Sequence, residues 1–195
     1  MGATCPVSSN DEGVAKVCGP AFTVKMVSQQ DTEAPKPDRH FVDAAQPGSV
    51  MVVAAPSEMR SAIWGGLMTA RAQHLGVRGV VLDGRCRDLE EHRDAKFPVF
   101  ARGHSTLGQS PFTRPSELQV PVTIRDPTSP SFPALTVHPG DAVLADIDGV
   151  VVVPAHLVDQ VLALAAKSRD VDEKCMRDLR NGHGVQETFA KWRGK

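Results

Sequence analysis

The stretch from Trp64 to Asp88, WGGLMTARAQHLGVRGVVLDGRCRD, decides the fold. Within Ser61 to Gly76, Met68, Ala72 and Leu75 recur at the i, i+4, i+7 spacing that puts side chains on one face of a helix, and Gly76 is a natural stop. Val77 to Leu82 is then a continuous apolar run that ends at Asp83-Gly84, as a buried strand does. Upstream, the Pro47-Gly48 turn feeds a second apolar run, Val50 to Ala55. Strand, helix, strand in this succession gives a parallel pair joined by a right-handed crossover, so the chain reads as α/β.

Working outward, Val17 to Val27 reads as a strand entered through Gly19-Pro20, and Ser28 to Arg39 as a polar, proline-containing loop. Phe97 to Arg102 is a further short strand. From Val120 the pattern turns to hairpins: Val122 to Ile124, Leu135 to Val137, Ala142 to Asp146 and Val150 to Val153 are separated by turns such as His138-Pro139-Gly140-Asp141 and Asp146-Ile147-Asp148-Gly149. His156 to Leu179 is helix-forming, with Val158, Leu162 and Ala165 on one face, and Gln186 to Trp192 forms a last short helix. Met1 to Gly13 is polar and without periodicity, the pattern of a flexible end. One domain is expected over residues 1–195.

Composition narrows the function classes. A net charge of -1 argues against a nucleic-acid surface, which needs a marked excess of Lys and Arg. The longest apolar runs are too short to cross a bilayer and the first ten residues lack a secretory pattern, so the reading is a soluble, cytoplasmic protein. Cys5, Cys18, Cys86 and Cys175 are scattered with no CxxC pair, which signals neither zinc knuckle nor disulfide framework. With no tyrosine and 5% aromatic residues, the core must be filled by Val, Leu, Ala and Ile.

Two segments can carry chemistry. Gly65-Gly66 opens a helix, where bare backbone N–H groups and the helix dipole attract a carboxylate or phosphate. An isolated Gly-Gly serves close packing equally well, so this signal alone is weak. Asp83-Gly84-Arg85-Cys86-Arg87-Asp88 follows a buried strand, and in open α/β sheets ligands gather beyond the carboxyl ends of strands. An Asp beside an Arg there offers a hard oxygen for a metal and a fixed positive charge for an oxyanion; the competing reading is a solvated turn held by ion pairs. The seven histidines form no HxH or HExxH spacing, and Glu90 to Asp94 reads as a solvated helix face. Ser105 and Ser110 lack a GxSxG context, and neither a P-loop nor a dinucleotide fingerprint is present.

Taken in order, Trp64 to Asp88, FPVFARG (Phe97 to Gly103) and PGDAVLADIDGVVVVP (Pro139 to Pro154) resemble the RraA-like family of 4-hydroxy-4-methyl-2-oxoglutarate aldolases and oxaloacetate decarboxylases. GPAFTV (Gly19 to Val24) and DEKCMRDLRNG (Asp172 to Gly182) extend the match over most of the chain. The resemblance implies a three-layer β/β/α, swivelling-domain-like fold. It implies a homotrimer with sites between subunits, and metal-dependent cleavage of the C3–C4 bond of a small 2-oxo acid through a pyruvate enolate. Carried over by position, the backbone of Gly65, Gly66, Leu67 and Met68 holds the substrate carboxylate, Arg87 is the catalytic contact to the substrate oxygens, and Asp88 binds Mg2+ or another divalent cation such as Mn2+. Glu173 is the matching candidate for an acid that reaches the metal's waters from a neighbouring subunit. The sequence departs from the family at Gly66, where many bacterial relatives are acidic, and in a shortened start before Val14. One branch of the family resembles regulators that inhibit a ribonuclease, so a non-catalytic binding protein or an inactive relative is the alternative; retention of Arg87-Asp88 favours catalysis.

Overall fold

The computed structural model describes residues 5–6, 16–125, 131 and 133–194; the first four residues, residues 7–15 and most of 126–132 lie outside it, and with them nearly all of the expected flexible start. The chain divides into two compact units, Met1–Pro154 and Ala155–Lys195.

In the first unit the strands are β1 (Cys5–Pro6), β2 (Val17–Ser28), β3 (Val50–Ala54), β4 (Ala62–Trp64), β5 (Gly79–Cys86), β6 (Val99–His104), β7 (Thr113–Leu118), β8 (Val122–Ile124), β9 (Leu135–Val137), β10 (Ala142–Asp146) and β11 (Gly149–Val153). Helix α1 (Gly66–His74) joins β4 to β5, and α2 (Leu89–Asp94) joins β5 to β6. Among the described residues nine strands form one sheet in the order β1-β6-β5-β3-β2-β10-β11, with β4 beside β5 and β7 beside β2. The β2-β3-β5-β6 centre is parallel, as the strand, helix, strand succession requires, and β10-β11 is the antiparallel hairpin expected from its turn.

Alternation along the central strands makes the layers. Met51 and Val53 of β3, Val80 and Leu82 of β5, and Val99 and Ala101 of β6 join one core with Met68 and Ala72 of α1, Leu75 at its C-cap and Leu89 of α2. Their neighbours Val50, Val52, Val81 and Phe100 face the other way, against Val122, Ile124 and Val137 of the small β8-β9 sheet. Period-two alternation in strands apolar on both faces thus produces helix, sheet and second sheet, the three-layer α/β arrangement. Each fully buried side chain of this kind contributes about 1.5–3 kcal/mol relative to exposure.

Three local readings are corrected. The helix expected from Ser61 starts only at Gly66, because Ala62, Ile63 and Trp64 are all buried and pair with β5 as a short parallel strand; three consecutive buried residues cannot share one helical face. Strand β5 runs through Asp83-Gly84 to Cys86 instead of turning there; Gly84 permits it, since a Cβ at that position would approach Ile63 Cδ1 to 2.7 Å. Thr113 to Leu118 was not expected as a strand. Pro115 argues against one, yet it is tolerated where the β2-β7 register shifts between Lys25 and Met26.

The second unit holds α3 (Val158–Arg180), entered through a 3-10 turn, and α4 (Val185–Arg193), as the helix-forming C-terminal third suggests. Asp178 joins them, accepting hydrogen bonds from Trp192 Nε1 at 2.8 Å and Lys191 Nζ at 3.0 Å.

Candidate active site

Helix α1 has no side-chain cap of its own: Gly65 occupies the N-cap position in extended conformation and can offer none. The cap comes from another element. The Gly66 amide donates to Asp88 Oδ2 at 2.9 Å, while Asp88, itself the N-cap residue of α2, makes no side-chain hydrogen bond to its own helix. Its backbone is left-handed, with φ 60° and ψ 49°, a conformation Asp tolerates better than most residues, though at a cost of about 1 kcal/mol. That kink redirects the carboxylate from α2 to the start of α1.

The elements are clamped at the same point. The Arg87 amide donates to the Trp64 carbonyl at 3.0 Å, so the residues leaving β5 lie directly beside those entering α1. Arg87 Nη1 stands 3.6 Å from Asp88 Oδ1, too far for a hydrogen bond, and the guanidinium side chain is 46% exposed. A Cβ on Gly65 would come within 2.5 Å of Asp88 Oδ2 and 3.1 Å of Arg87 Nε. Glycine at position 65 is therefore what lets both charged groups close over the helix start.

The four amides of the glycine-opened turn are not equivalent. Gly66 holds Asp88, and the Met68 amide turns back to the Gly65 carbonyl at 3.0 Å. Leu67, second in the helix, has no intrahelical acceptor for its amide, and the residue is 75% exposed. The helix dipole and the Leu67 amide are the features there suited to an anion.

Beneath this surface lies a buried polar chain that sequence reasoning missed. Trp64 Nε1 donates to Thr69 Oγ1 at 2.9 Å, and Thr69 Oγ1 lies 2.9 Å from His92 Nδ1. Indole can only donate, so the Thr69 hydroxyl accepts from Trp64; in the second contact the donor is set by the tautomer of the His92 ring. Burial pushes the His92 imidazole below its usual range, only partly opposed by the Arg87 carbonyl. The chain ties β4, α1 and α2 together, and those are the elements that position Gly65, Gly66, Arg87 and Asp88. Glu90 to Asp94 is therefore not wholly a solvated face: His92 is fully buried. Leu89, His92 and Ala95, three residues apart, mark the inward face of α2 and were the available signal.

Asp83 does not join the site. It pairs with Arg102, which also donates to the Arg125 carbonyl at 2.5 Å; burial raises the Asp83 carboxyl above its usual range, and Arg102 opposes the shift. Burial likewise pushes the Cys86 thiol up to about 11. Glu173 lies on α3 of the second unit, highly exposed and 3.8 Å from Arg169.

The donor set fits magnesium. Asp88 Oδ1 is a hard oxygen not engaged by the Gly66 amide, and no group of three or more His, Cys, Asp or Glu among the described residues encloses a metal. Few protein ligands with room for water is the coordination that Mg2+ prefers, whereas zinc sites use three or four nitrogen or sulfur ligands.

Fold and site together define a three-layer α/β protein in which a carboxylate and a guanidinium close over a glycine-opened helix start. The chain belongs to the RraA-like family: the Aldolase/RraA family model matches residues 3–152. It is 33% identical over 168 residues to the "Putative 4-hydroxy-4-methyl-2-oxoglutarate aldolase" of Halalkalibacterium halodurans, covering 86% of this chain and 72% of that one. An uncharacterized protein from Pseudomonas syringae shares the fold with a TM-score of 0.81 at 24% identity, over 97% of this chain and 80% of that one. RraAS2 of Streptomyces coelicolor, described as an unusual member of the RNase ES inhibitor RraA protein family, superposes with a TM-score of 0.71 at 25% identity, over 93% and 82% of the two chains.

Proposed function

We propose that this chain is a divalent-metal-dependent carbon–carbon lyase that cleaves the C3–C4 bond of a small 2-oxo acid, as an aldolase acting on 4-hydroxy-4-methyl-2-oxoglutarate, a decarboxylase acting on oxaloacetate, or both. The observation that carries this reading is the Asp88 to Gly66 hydrogen bond, which brings a metal-competent carboxylate, Arg87 and the anion-attracting end of α1 to one place. Membership of the family, and the aldolase name of a relative at 33% identity, point the same way.

Bound magnesium, held by Asp88 with water completing its shell, would supply Lewis acidity beside the substrate's keto group. The chain's own residues do the rest. The Leu67 amide and the α1 dipole seat the substrate carboxylate, with the acid end fixed at the helix start. Arg87 presents positive charge to the keto oxygen, where negative charge develops as the C3–C4 electron pair moves into the pyruvate enolate. From oxaloacetate the departing fragment is CO2; from the aldol substrate the C4 hydroxyl loses its proton and a second pyruvate leaves. In both cases C3 of the enolate then takes a proton, which explains how one site serves both reactions.

The proposed enzyme is a cytoplasmic homotrimer. Supporting assembly, Val161, Leu162 and Leu164 of α3 are 39%, 62% and 65% exposed, which is unusual for one stretch of a soluble helix. No helix among the described residues is long and apolar enough to cross a membrane. The similarity to the Streptomyces RraA protein supports a second reading, a regulatory binding protein. Pyruvate release from each of the two substrates, with magnesium and with chelator, separates the two: a lyase turns over and loses activity with the metal, whereas a binder does neither.

A further inference from the structure

His92 is fully buried, yet its neighbours on the inward face of α2, Leu89 and Ala95, are apolar and pack against the core. An aliphatic side chain would suit that position. Instead the ring keeps Nδ1 2.9 Å from Thr69 Oγ1, while Nε2 has no hydrogen-bond partner among the described residues, the Arg87 carbonyl standing outside hydrogen-bonding geometry. A buried polar atom left unpaired costs its desolvation in full, so the imidazole stabilises the fold less well than leucine would. Thr69 would not be stranded by that exchange: its oxygen would still accept from Trp64 Nε1, and a helical threonine hydroxyl can donate to the carbonyl four residues back, here that of Gly65.

What the imidazole does fix is the turn that carries the site. Its backbone amide donates to the Asp88 carbonyl at 3.3 Å, closing the first turn of α2 directly after the left-handed Asp88, while its ring is tied through Thr69 to α1. Asp88 in turn holds the Gly66 amide at 2.9 Å. Thr69 and His92 each stand about one turn into their helices, so their buried link backs the partly exposed Asp88–Gly66 link at the two helix starts. We infer that His92 is a positioning residue: through Thr69 it sets where the Asp88 carboxylate and Arg87 stand relative to the start of α1, and the site, not the fold, is the reason for a histidine in this core. This rests on the metal-dependent reading above only for its Mn2+ measurement.

The test follows three readouts in the intact chain and in His92→Leu, His92→Asn and Asp88→Ala: the guanidinium chloride midpoint, Mn2+ affinity from the free-ion electron paramagnetic resonance signal, and hydrogen exchange of the Gly66 amide by NMR. Gly66 is the first residue of α1 and has no intrahelical acceptor, so its protection reports the Asp88 carboxylate and needs no metal. Asp88→Ala should lose that protection. His92→Leu should unfold at the same or a higher denaturant concentration, yet exchange Gly66 roughly tenfold faster, about the worth of one hydrogen bond. It should also bind Mn2+ roughly tenfold more weakly, as loss of a group that supports a metal ligand does. His92→Asn places an amide where Nδ1 lies; it should keep protection and affinity while unfolding at lower denaturant, because it leaves a cavity. Stability and site geometry thus move in opposite directions, which a purely structural histidine would not produce. If Gly66 protection is unchanged in His92→Leu, or follows the unfolding midpoint across the variants, the positioning role is overturned. If the intact chain binds no Mn2+ while the exchange pattern holds, the role stands and the metal-dependent reading falls.

Discussion

The Asp88 carboxylate reaches back 22 residues to take the Gly66 amide at 2.9 Å, so the residue at the N-cap of one helix caps the start of another. The left-handed backbone at Asp88 is the local cost of this diversion, and the buried Trp64-Thr69-His92 chain is what holds the two helices in register for it.

Gly65→Ala should separate site from fold. The added methyl group meets Asp88 Oδ2 at 2.5 Å and Arg87 Nε at 3.1 Å, both on side chains that can move outward. Thermal unfolding should show a loss of about 1 kcal/mol, because Ala is a poorer helix N-cap than Gly. Pyruvate release should fall by at least about tenfold, the scale expected when a reacting group is displaced by an ångström.

Thr69→Val keeps shape and volume but removes the link in the buried chain. It strands Trp64 Nε1 and leaves His92 Nδ1 without its Thr69 partner, each costing about 1–3 kcal/mol when buried. Chemical denaturation should show that loss, and Mn2+ affinity should fall with it if the chain positions Asp88.

Acid should act through His92. Burial holds its folded pKa below the ordinary 6.5, so the fold favours the neutral ring. This contribution is complete above the unfolded value and is lost as pH falls through the lowered folded value. Melting temperature should therefore drop as pH falls below about 6.5, and the drop should be smaller in His92→Leu, which has no ring to protonate.

The Asp178 carboxyl is held below the usual carboxylate range, first by the Trp192 indole and then by Lys191. Its contribution is present above about 3.8 and decays as pH falls below that value. Trp192→Phe should make the α3-α4 pair lose helicity at a higher pH on acidification, as read by circular dichroism.

Much of this was legible in the sequence, for reasons that differ by element. The apolar runs at Val50 and Val77 and the spacing of Met68, Ala72 and Leu75 are periodic signals, and they placed the parallel centre and its crossover helix. Ala62 to Trp64 carries no period in three residues, and its strand exists only because β5 continues past Gly84 to pair with it. The site was legible as a juxtaposition of Gly65-Gly66 with Arg87-Asp88, since both flank one strand. What joins them was not: a left-handed Asp, a carboxylate lying over a glycine and a histidine buried against a threonine depend on how α1 and α2 meet, and sequence spacing records nothing about that meeting.

The central claim is that Asp88 equips this site for metal-dependent cleavage of a 2-oxo acid. Its most direct test is pyruvate release from oxaloacetate, corrected for spontaneous decarboxylation, in unaltered protein and Asp88→Ala, each with magnesium and with excess chelator. The account predicts turnover only for the unaltered protein with magnesium, with Asp88→Ala lower by at least about a hundredfold. Equal release in all four samples would contradict it.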